Sequence, residues 1–168
     1  MQKFITLVNG AHKLIDGGVV ASTGINDAGK MAALDNSGRL DTTVMPVGIG
    51  ADTAAILTSE TLPAGCFVNV WNNFGAAAVR KADATVVGKE AHGFVLSAFT
   101  HPTTATVYFE GSNTAITGAI AGNIYLSTSA GGFTNTPPST SGNIVQKLGV
   151  ATSGMTINVE FSEPVELA

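Results

Sequence analysis

The spacing of apolar residues follows the period of a β-strand, and this constrains the fold most. Residues 66–71, 105–110 and 156–161 alternate apolar and polar positions, as strands with one buried face do. No stretch keeps apolar residues at positions i, i+3, i+4 and i+7 over three turns, because Gly, Thr, Ser and Asn interrupt each candidate helix. The chain is therefore predicted to be all-β.

Turn-forming residues separate the predicted strands at short intervals. Further strands are predicted at residues 4–8, 54–57, 77–81, 92–98, 124–127, 144–150 and 165–167. Segments rich in Gly, Pro and Asn lie between them, for example 63–65, 72–75 and 111–113. Many short strands at regular spacing are typical of an antiparallel β-sandwich or barrel, here of the jelly-roll or β-tulip-like kind.

The first third of the chain differs from the rest. Residues 10–50 are rich in Gly and Asp, and their isolated apolar residues form no pattern able to bury a sheet face. We therefore predict an extended N-terminal arm over residues 1–52, which orders against a partner, and a β domain over residues 53–168. The residues predicted to bind the partner are the dispersed apolar side chains of the arm: Met31, Leu34, Leu40 and Met45.

Charged residues are scarce in this chain. Asp, Glu, Lys and Arg make up 12% of its 168 residues, against roughly 25% in an average domain. Residues 91–146 contain a single one, Glu110. A free monomer normally carries charges on its surface and edge strands, and these charges oppose association. The neutral strands therefore predict a stable oligomer or a larger assembly.

Composition also excludes several partners. With a net charge of −4 and no basic patch, the chain is not expected to bind nucleic acid. Its apolar runs are far shorter than the roughly 20 residues that span a bilayer, so no membrane segment is expected. The N-terminus lacks the pattern of a signal peptide, which predicts synthesis in a cytoplasm. The single cysteine, Cys66, is expected to be a buried small hydrophobic residue.

One segment matches a phosphate-binding loop by its spacing. Residues 24–30 read GINDAGK, which fits the pattern GxxxxGK. Met31 stands where a Ser or Thr hydroxyl would bind Mg²⁺, and Asp27 would place negative charge among the phosphates. We therefore interpret this segment as a glycine-rich turn.

No arrangement of residues predicts catalysis or a cofactor. The three histidines, His12, His92 and His101, lie at no metal-ligand spacing. Ser97 follows His92 on one predicted strand, but without the GxSxG pattern of a nucleophile. Four aromatic residues suggest a sugar-binding platform, although such residues more often belong to a core: Trp71, Phe74, Tyr108 and Phe109. The chain is predicted to be neither an enzyme nor a cofactor-binding protein.

Two parts of the chain resemble structural proteins of tailed bacteriophages. Residues 28–41, AGKMAALDNSGRLD, and the MPVG of residues 45–48 resemble a segment of head decoration proteins and tail fibres. The C-terminal half, with AHGFVL at residues 91–96, TVYFEG at 106–111 and VQKLG at 145–149, is similar to a β module of the same class of virion proteins. The resemblance implies a role in a phage particle, and such modules commonly form homotrimers.

Two functions fit this resemblance. The first is a capsid decoration, or cement, protein on the virion surface, which binds the major capsid protein across capsomer joints and stabilises the assembled head. A short chain with one β domain and a docking arm favours it. The alternative is a tail-fibre or head-fibre module that recognises a host surface polysaccharide. Fibres usually contain shaft repeats, and none is seen in this sequence.

Overall fold

The computed structural model describes residues 3–16, 18–45 and 51–168. In these ranges the regular structure consists of strands, apart from two single-turn 3-10 helices, Ile25–Asp27 and Thr42–Val44. The predicted all-β class is therefore confirmed. No helix of the described residues is long and apolar enough to cross a membrane.

The chain divides into two compact units, Met1–Gly50 and Ala51–Ala168. The described part of the first unit contains β1 (Lys3–Val8), β2 (Ala11–Asp16), β3 (Gly18–Val19) and β4 (Met31–Ala32). β1 and β2 form an antiparallel hairpin, and β3 and β4 form a short parallel pair. Asn9 and Gly10 at the hairpin turn both have positive φ, as in the type I′ turns that suit two-stranded ribbons. The first unit thus contains paired strands in a region expected to be extended.

The second unit is fully described and forms two sheets and a small pair. Its strands are β5 (Thr53–Thr58), β6 (Phe67–Asn73), β7 (Ala76–Lys81), β8 (Gly93–Phe94), β9 (Thr104–Tyr108), β10 (Gly111–Asn113), β11 (Gly122–Leu126), β12 (Phe133–Thr134), β13 (Ile144–Val145), β14 (Lys147–Ser153), β15 (Thr156–Val159) and β16 (Val165–Glu166). Strands β5-β7-β6-β8-β9 close into a barrel, and a five-stranded sheet has the order β10-β15-β14-β11-β12. β13 pairs with β16.

The barrel contains one parallel pairing. Leu57 and Thr58 of β5 lie beside Ala78 and Val79 of β7 in parallel register, whereas the other pairings of the barrel are antiparallel. An odd number of strands cannot close into a ring with strictly alternating directions, so one neighbouring pair has to be parallel. This pairing is the departure, within residues 51–168, from the antiparallel architecture that the sequence predicts.

Two apolar clusters form the core of the second unit. One fills the barrel and contains Leu62, Cys66, Val68, Val79, Val95, Ala105 and Val107. The other lies between the barrel wall and the five-stranded sheet and contains Phe67, Phe94, Ile124, Leu126, Leu148 and Ile157 among others. Burying each such large side chain contributes about 1.5–3 kcal/mol. Cys66 is 2% exposed, which confirms its predicted burial.

Gln146 interrupts the strand predicted over residues 144–150. Its side-chain carbonyl accepts a hydrogen bond from the Ala91 N–H at 2.8 Å, and its amide donates to the Ala91 carbonyl at 3.0 Å. The same amide donates to the Ser162 carbonyl at 3.3 Å. The buried Gln146 side chain therefore pairs with Ala91 as the backbone of a neighbouring strand would. It satisfies both the N–H and the carbonyl of Ala91, which is distant in sequence.

Candidate functional site

Residues 18–45 expose five of their large apolar side chains. Among the side chains described in the first unit, only Ala33 is buried. The five are exposed as follows: Ile25 86%, Leu34 58%, Met31 51%, Leu40 45% and Val20 43%. A domain of ordinary construction buries most such side chains in its own core. The segment instead presents a set of apolar contacts, which we call the arm surface.

Three of the four residues predicted to bind a partner belong to this arm surface: Met31, Leu34 and Leu40. The fourth, Met45, is half-buried and lines a groove of about 370 Å³ within the first unit. Val19, Ala32 and Val44 line the same groove, together with the charged pair Asp27 and Lys30. Ile25 is the most exposed residue of the arm surface and was not among the four predicted binding residues. Its isolated position in a polar stretch of the sequence is the feature that could have identified it.

The turn over residues 22–30 is organised by the Asp27 carboxylate. The Thr23 N–H and hydroxyl donate to Oδ2 at 2.6 and 2.8 Å, and the Lys30 ammonium lies 2.6 Å from Oδ1. The ammonium and the two Thr23 donors hold the pKa of the Asp27 carboxyl well below its usual range. Lys30 is thus paired with the Asp27 carboxylate of its own turn. In a phosphate-binding loop, the corresponding lysine would instead contact the phosphate of the ligand.

Two more aspartates organise the rest of the segment in the same way. Asp35 accepts hydrogen bonds from the Ser37 N–H and hydroxyl at 2.8 and 2.7 Å and from the Arg39 N–H at 2.9 Å. Asp41 accepts from the Thr43 N–H and hydroxyl at 2.9 and 2.6 Å. The Arg39 N–H and Ser37 lower the pKa of Asp35, and Thr43 lowers that of Asp41. Carboxylate-centred turns therefore hold the backbone from which the apolar side chains project.

In the second unit, the hairpin turn between β6 and β7 presents an exposed aromatic ring. Phe74 and Gly75 have φ of 52° and 92°, as in a type I′ turn, and the Gly75 N–H donates to the Asn72 side-chain oxygen at 2.7 Å. The Phe74 side chain is fully exposed, at 103%. A left-handed conformation costs a bulky residue on the order of 1 kcal/mol, and Asn or Gly usually occupies this position. Strain together with exposure makes Phe74 a candidate binding residue.

The outer face of the barrel beside this turn carries further binding-prone residues. The Arg80 guanidinium lies 4.6 Å from the centre of the Trp71 ring, and its Nε donates to the Asn69 side-chain oxygen at 2.9 Å. Leu57, 51% exposed, lies beside Ala78, which in turn pairs with Trp71 across the strands. We call Leu57, Trp71, Phe74 and Arg80 the hairpin surface.

The four aromatic residues considered as a sugar-binding platform do not share one face. Tyr108 stacks on Phe94 with ring centres 5.4 Å apart and packs against the cluster between barrel and sheet. Phe109 packs against the cluster inside the barrel. Of the four, Trp71 and Phe74 belong to the hairpin surface.

The outer face of the five-stranded sheet is neutral. Ser112, Asn158, Val150 and Asn123 lie side by side in one cross-strand row, and all four are exposed. Residues 111–146 and 148–159 contain no Asp, Glu, Lys or Arg. We call this row the neutral sheet face. It is a candidate for contact with further copies of the chain.

His92, His101 and Cys66 have structural roles in the second unit. The Val70 N–H donates to His92 Nδ1 at 3.1 Å, and His101 Nδ1 lies 2.8 Å from the Thr58 carbonyl. Burial raises the pKa of the Cys66 thiol to about 12, which keeps it protonated at neutral pH. In the described ranges, no group of three or more His, Cys, Asp or Glu side chains is placed to hold a metal ion.

No protein-family model matches this chain, and no curated protein or solved structure is significantly similar to it. The arm surface, the hairpin surface and the neutral sheet face are the features that distinguish it from an ordinary β domain.

Proposed function

We propose that this chain is a capsid decoration protein of a tailed bacteriophage, which binds the outside of the assembled head across the joints between capsomers. The observation that carries the proposal is the arm surface. Carboxylate-centred turns hold residues 18–45, while Met31, Leu34 and Leu40 remain exposed. Such a segment gains its apolar burial on another molecule.

The chemistry of the arm surface fits a protein groove as its partner. Each of these side chains is about half exposed, so covering it contributes roughly 1 kcal/mol. One such contact is weak, but several contacts on one chain act together. A decoration protein that binds only the assembled shell shifts the assembly equilibrium toward that shell. Internal pressure then has to break these contacts as well as those between coat subunits.

Association of the chain with itself would strengthen this binding. We propose a homotrimer whose copies meet through the neutral sheet face, since Ser112, Asn123, Val150 and Asn158 place no charge there. Three joined copies present three arms, and the attachment of one arm raises the effective concentration of the others.

Co-sedimentation tests the proposed function. The purified full chain is mixed with undecorated expanded shells and, separately, with free coat protein. We expect saturable, stoichiometric binding to the shells and none to the free subunits, because a site across a joint exists only after assembly. A chain that does not sediment with shells would overturn the proposal. Antibody labelling of intact virions adds a second readout: label on the shell supports a decoration protein, and label on the tail supports a fibre module.

A further inference from the structure

We propose that a second copy of this chain covers the Phe74 turn, and that the Phe74 ring inserts into a groove at the opposite end of β6 in that copy. This inference rests on the proposed homotrimer and adds a head-to-tail contact to the neutral sheet face. The groove has a volume of about 280 Å³ and is lined by residues 63–66, 115–117 and 130–133. We call it the β6 groove.

The Phe74 ring is presented rigidly and without cover in its own chain. It is fully exposed, and its backbone has a φ of 52° at a turn position that Asn usually occupies. Phe74 therefore gains no burial that would offset the cost of this conformation. The hydrogen bond from Gly75 to Asn72 nevertheless fixes the turn. A rigidly presented ring loses little conformational entropy on binding, which is the property of an aromatic anchor.

The β6 groove is shaped by the fold of the second unit itself. The Gly65 N–H donates to the Val95 carbonyl at 2.9 Å, and the Phe67 N–H donates to the Gly131 carbonyl at 2.9 Å. A side chain at Gly65 would collide with the Ala115 carbonyl, so two of the segments that line the groove pack backbone against backbone. A preformed groove of this kind requires little ordering when a partner binds.

The ring and the groove match in chemistry and in size. Residues 61–79 and 111–146 include both elements and contain no Asp, Glu, Lys or Arg. Cys66 and Ile116, which are 2% and 7% exposed, contribute apolar atoms to the groove wall. An apolar cavity of about 150 Å³ holds a benzene ring, so the β6 groove has room for the Phe74 side chain. Neither side has to strip water from a charge.

The ring and the groove lie at opposite ends of one strand. Cys66 of the groove directly precedes β6, and Phe74 directly follows it. The seven residues of β6 span about 23 Å, so a copy cannot place its ring in its own groove. Each copy therefore offers one ring and one groove to its neighbours. Contacts between unlike surfaces form a closed oligomer when the rotation between copies closes, and three copies can then use every ring and every groove.

The position of the groove also favours a second copy as the occupant. Phe133 of the groove lies in β12, the edge strand beside β11 in the five-stranded sheet. Asn123 of the neutral sheet face lies in β11. The β6 groove therefore borders the face through which the copies are proposed to meet, and a copy held there needs only a small further contact to gain affinity.

Light scattering over a concentration series tests the inference in the full chain. Phe74→Asn retains a residue suited to the turn and is expected to weaken self-association at least about tenfold, as for the loss of an aromatic anchor. Thr117→Lys places a charge at an exposed position of the groove and should cause a similar loss. The combined variant should lose no more than either single variant, because both remove the same contact. The matched control, Val165→Ser, changes a 59% exposed residue of β16 and should leave self-association unchanged.

Thiol cross-linking tests the head-to-tail direction of the contact. Ala76→Cys places a thiol beside the Phe74 turn, and Thr117→Cys places one at the groove. The native Cys66 is buried and protonated, so it does not compete. A short bis-maleimide is expected to join copies of the chain that carries both substitutions, and not copies that carry only one. The control chain, with Ala76→Cys and Val165→Cys, should not form cross-linked copies.

The outcomes separate this inference from the proposals on which it rests. Weaker self-association of Phe74→Asn and Thr117→Lys, with cross-links only in the chain that carries both cysteines, supports it. Unchanged self-association of Phe74→Asn, or equal cross-linking of the control chain, would overturn it and leave the neutral sheet face as the contact between copies. A Phe74→Asn chain that self-associates normally but binds shells more weakly would identify the shell as the occupant and contradict the inference. A monomeric unmodified chain would overturn the proposed homotrimer and this inference together, whereas co-sedimentation with shells tests the decoration role separately.

Discussion

The Asp27 carboxylate lies 2.6 Å from the Lys30 ammonium, and this ion pair closes a turn whose sequence also fits a phosphate loop. The lysine that would contact phosphate is bound within its own segment. Thr23 adds two hydrogen bonds to the same carboxylate. Acidic residues thus determine the local structure of the arm, and apolar residues are left for its surface.

The arm is expected to lose its order in acid. Hydrogen bonds and the Lys30 ammonium lower the pKa of Asp27, Asp35 and Asp41 in the folded chain. The stability that these carboxylates contribute is present above the unfolded value of about 4 and is lost as the pH falls through the lowered folded values. Shell binding should therefore weaken below about pH 4.

Carboxyl carbon shifts, followed by NMR during an acid titration, measure this directly. The matched control is the full chain unfolded in urea, in which the same carboxyls lack the folded turns. We expect the three carboxyls of the folded chain to titrate at lower pH than those of the unfolded chain. Identical titration curves would contradict the account of these turns.

Gln146→Glu is expected to destabilise the second unit strongly at neutral pH. The new carboxylate would face the carbonyl oxygens of Ala91 and Ser162, which now accept hydrogen bonds from the Gln146 amide. An unpartnered charge at a site that is 3% exposed should cost at least about 3 kcal/mol. Burial raises the pKa of such a carboxyl, so part of the stability should return as the pH is lowered and it gains a proton to donate.

Urea unfolding at pH 7 and pH 5 measures the effect of Gln146→Glu. An exposed neutral-to-acidic substitution in the same unit, Ser139→Asp, is the control and should change stability by less than about 0.5 kcal/mol, because Ser139 lies outside the neutral sheet face. A Gln146→Glu chain as stable as the unmodified chain at pH 7 would show that the pairing with Ala91 contributes little.

Val150→Lys is expected to dissociate the proposed homotrimer without unfolding its subunits. Val150 lies in the middle of the neutral sheet face and is 37% exposed. A buried unpaired charge at a subunit contact costs several kcal/mol, enough to separate copies at micromolar concentration. The contact of the unmodified chain should be insensitive to salt, because it contains no ion pairs to screen.

Light scattering with circular dichroism measures this prediction. The unmodified chain should have three times the chain mass in low and high salt, and Val150→Lys the mass of one chain with the same dichroism. Thr106→Lys places a charge on the outer face of the barrel, at an exposed position of β9. It tests whether this face, and not the neutral sheet face, forms the contact between subunits. A monomeric unmodified chain would contradict the predicted oligomer.

Local alternation is sufficient to predict the all-β class and most of the strands. It gives β5, β6 and β7 to within a residue or two. It does not show that β6 is buried on both faces at its start, where Phe67 packs in one apolar cluster and Val68 in the other. It misses β10 and β12, since these short strands consist of turn-forming residues and are held by their neighbours in the sheet. The pairing of Gln146 with Ala91 has no local signal, because 55 residues separate the two.

The candidate site is predictable from the sequence to a similar extent. Isolated apolar residues in a polar segment identify Met31, Leu34 and Leu40, and the structure leaves them exposed. The half-buried position of Met45 depends on the groove within the first unit. The exposure of Phe74 depends on a turn with positive φ at both positions, and the sequence alone indicates only that a turn is present.

The affinity of an arm-surface variant for shells tests the central claim most directly. The full chain carries Met31→Ser, Leu34→Ser and Leu40→Ser, all at exposed positions where the fold does not depend on the side chain. Removing roughly 1 kcal/mol of burial at each position predicts about 100-fold weaker binding to undecorated shells, with unchanged thermal stability of the second unit. The matched control replaces exposed valines of the second unit by serine: Val86, Val87 and Val165. The account predicts a large loss for the arm variant and near-normal binding for the control. Equal affinity of the arm variant and the unmodified chain would contradict it.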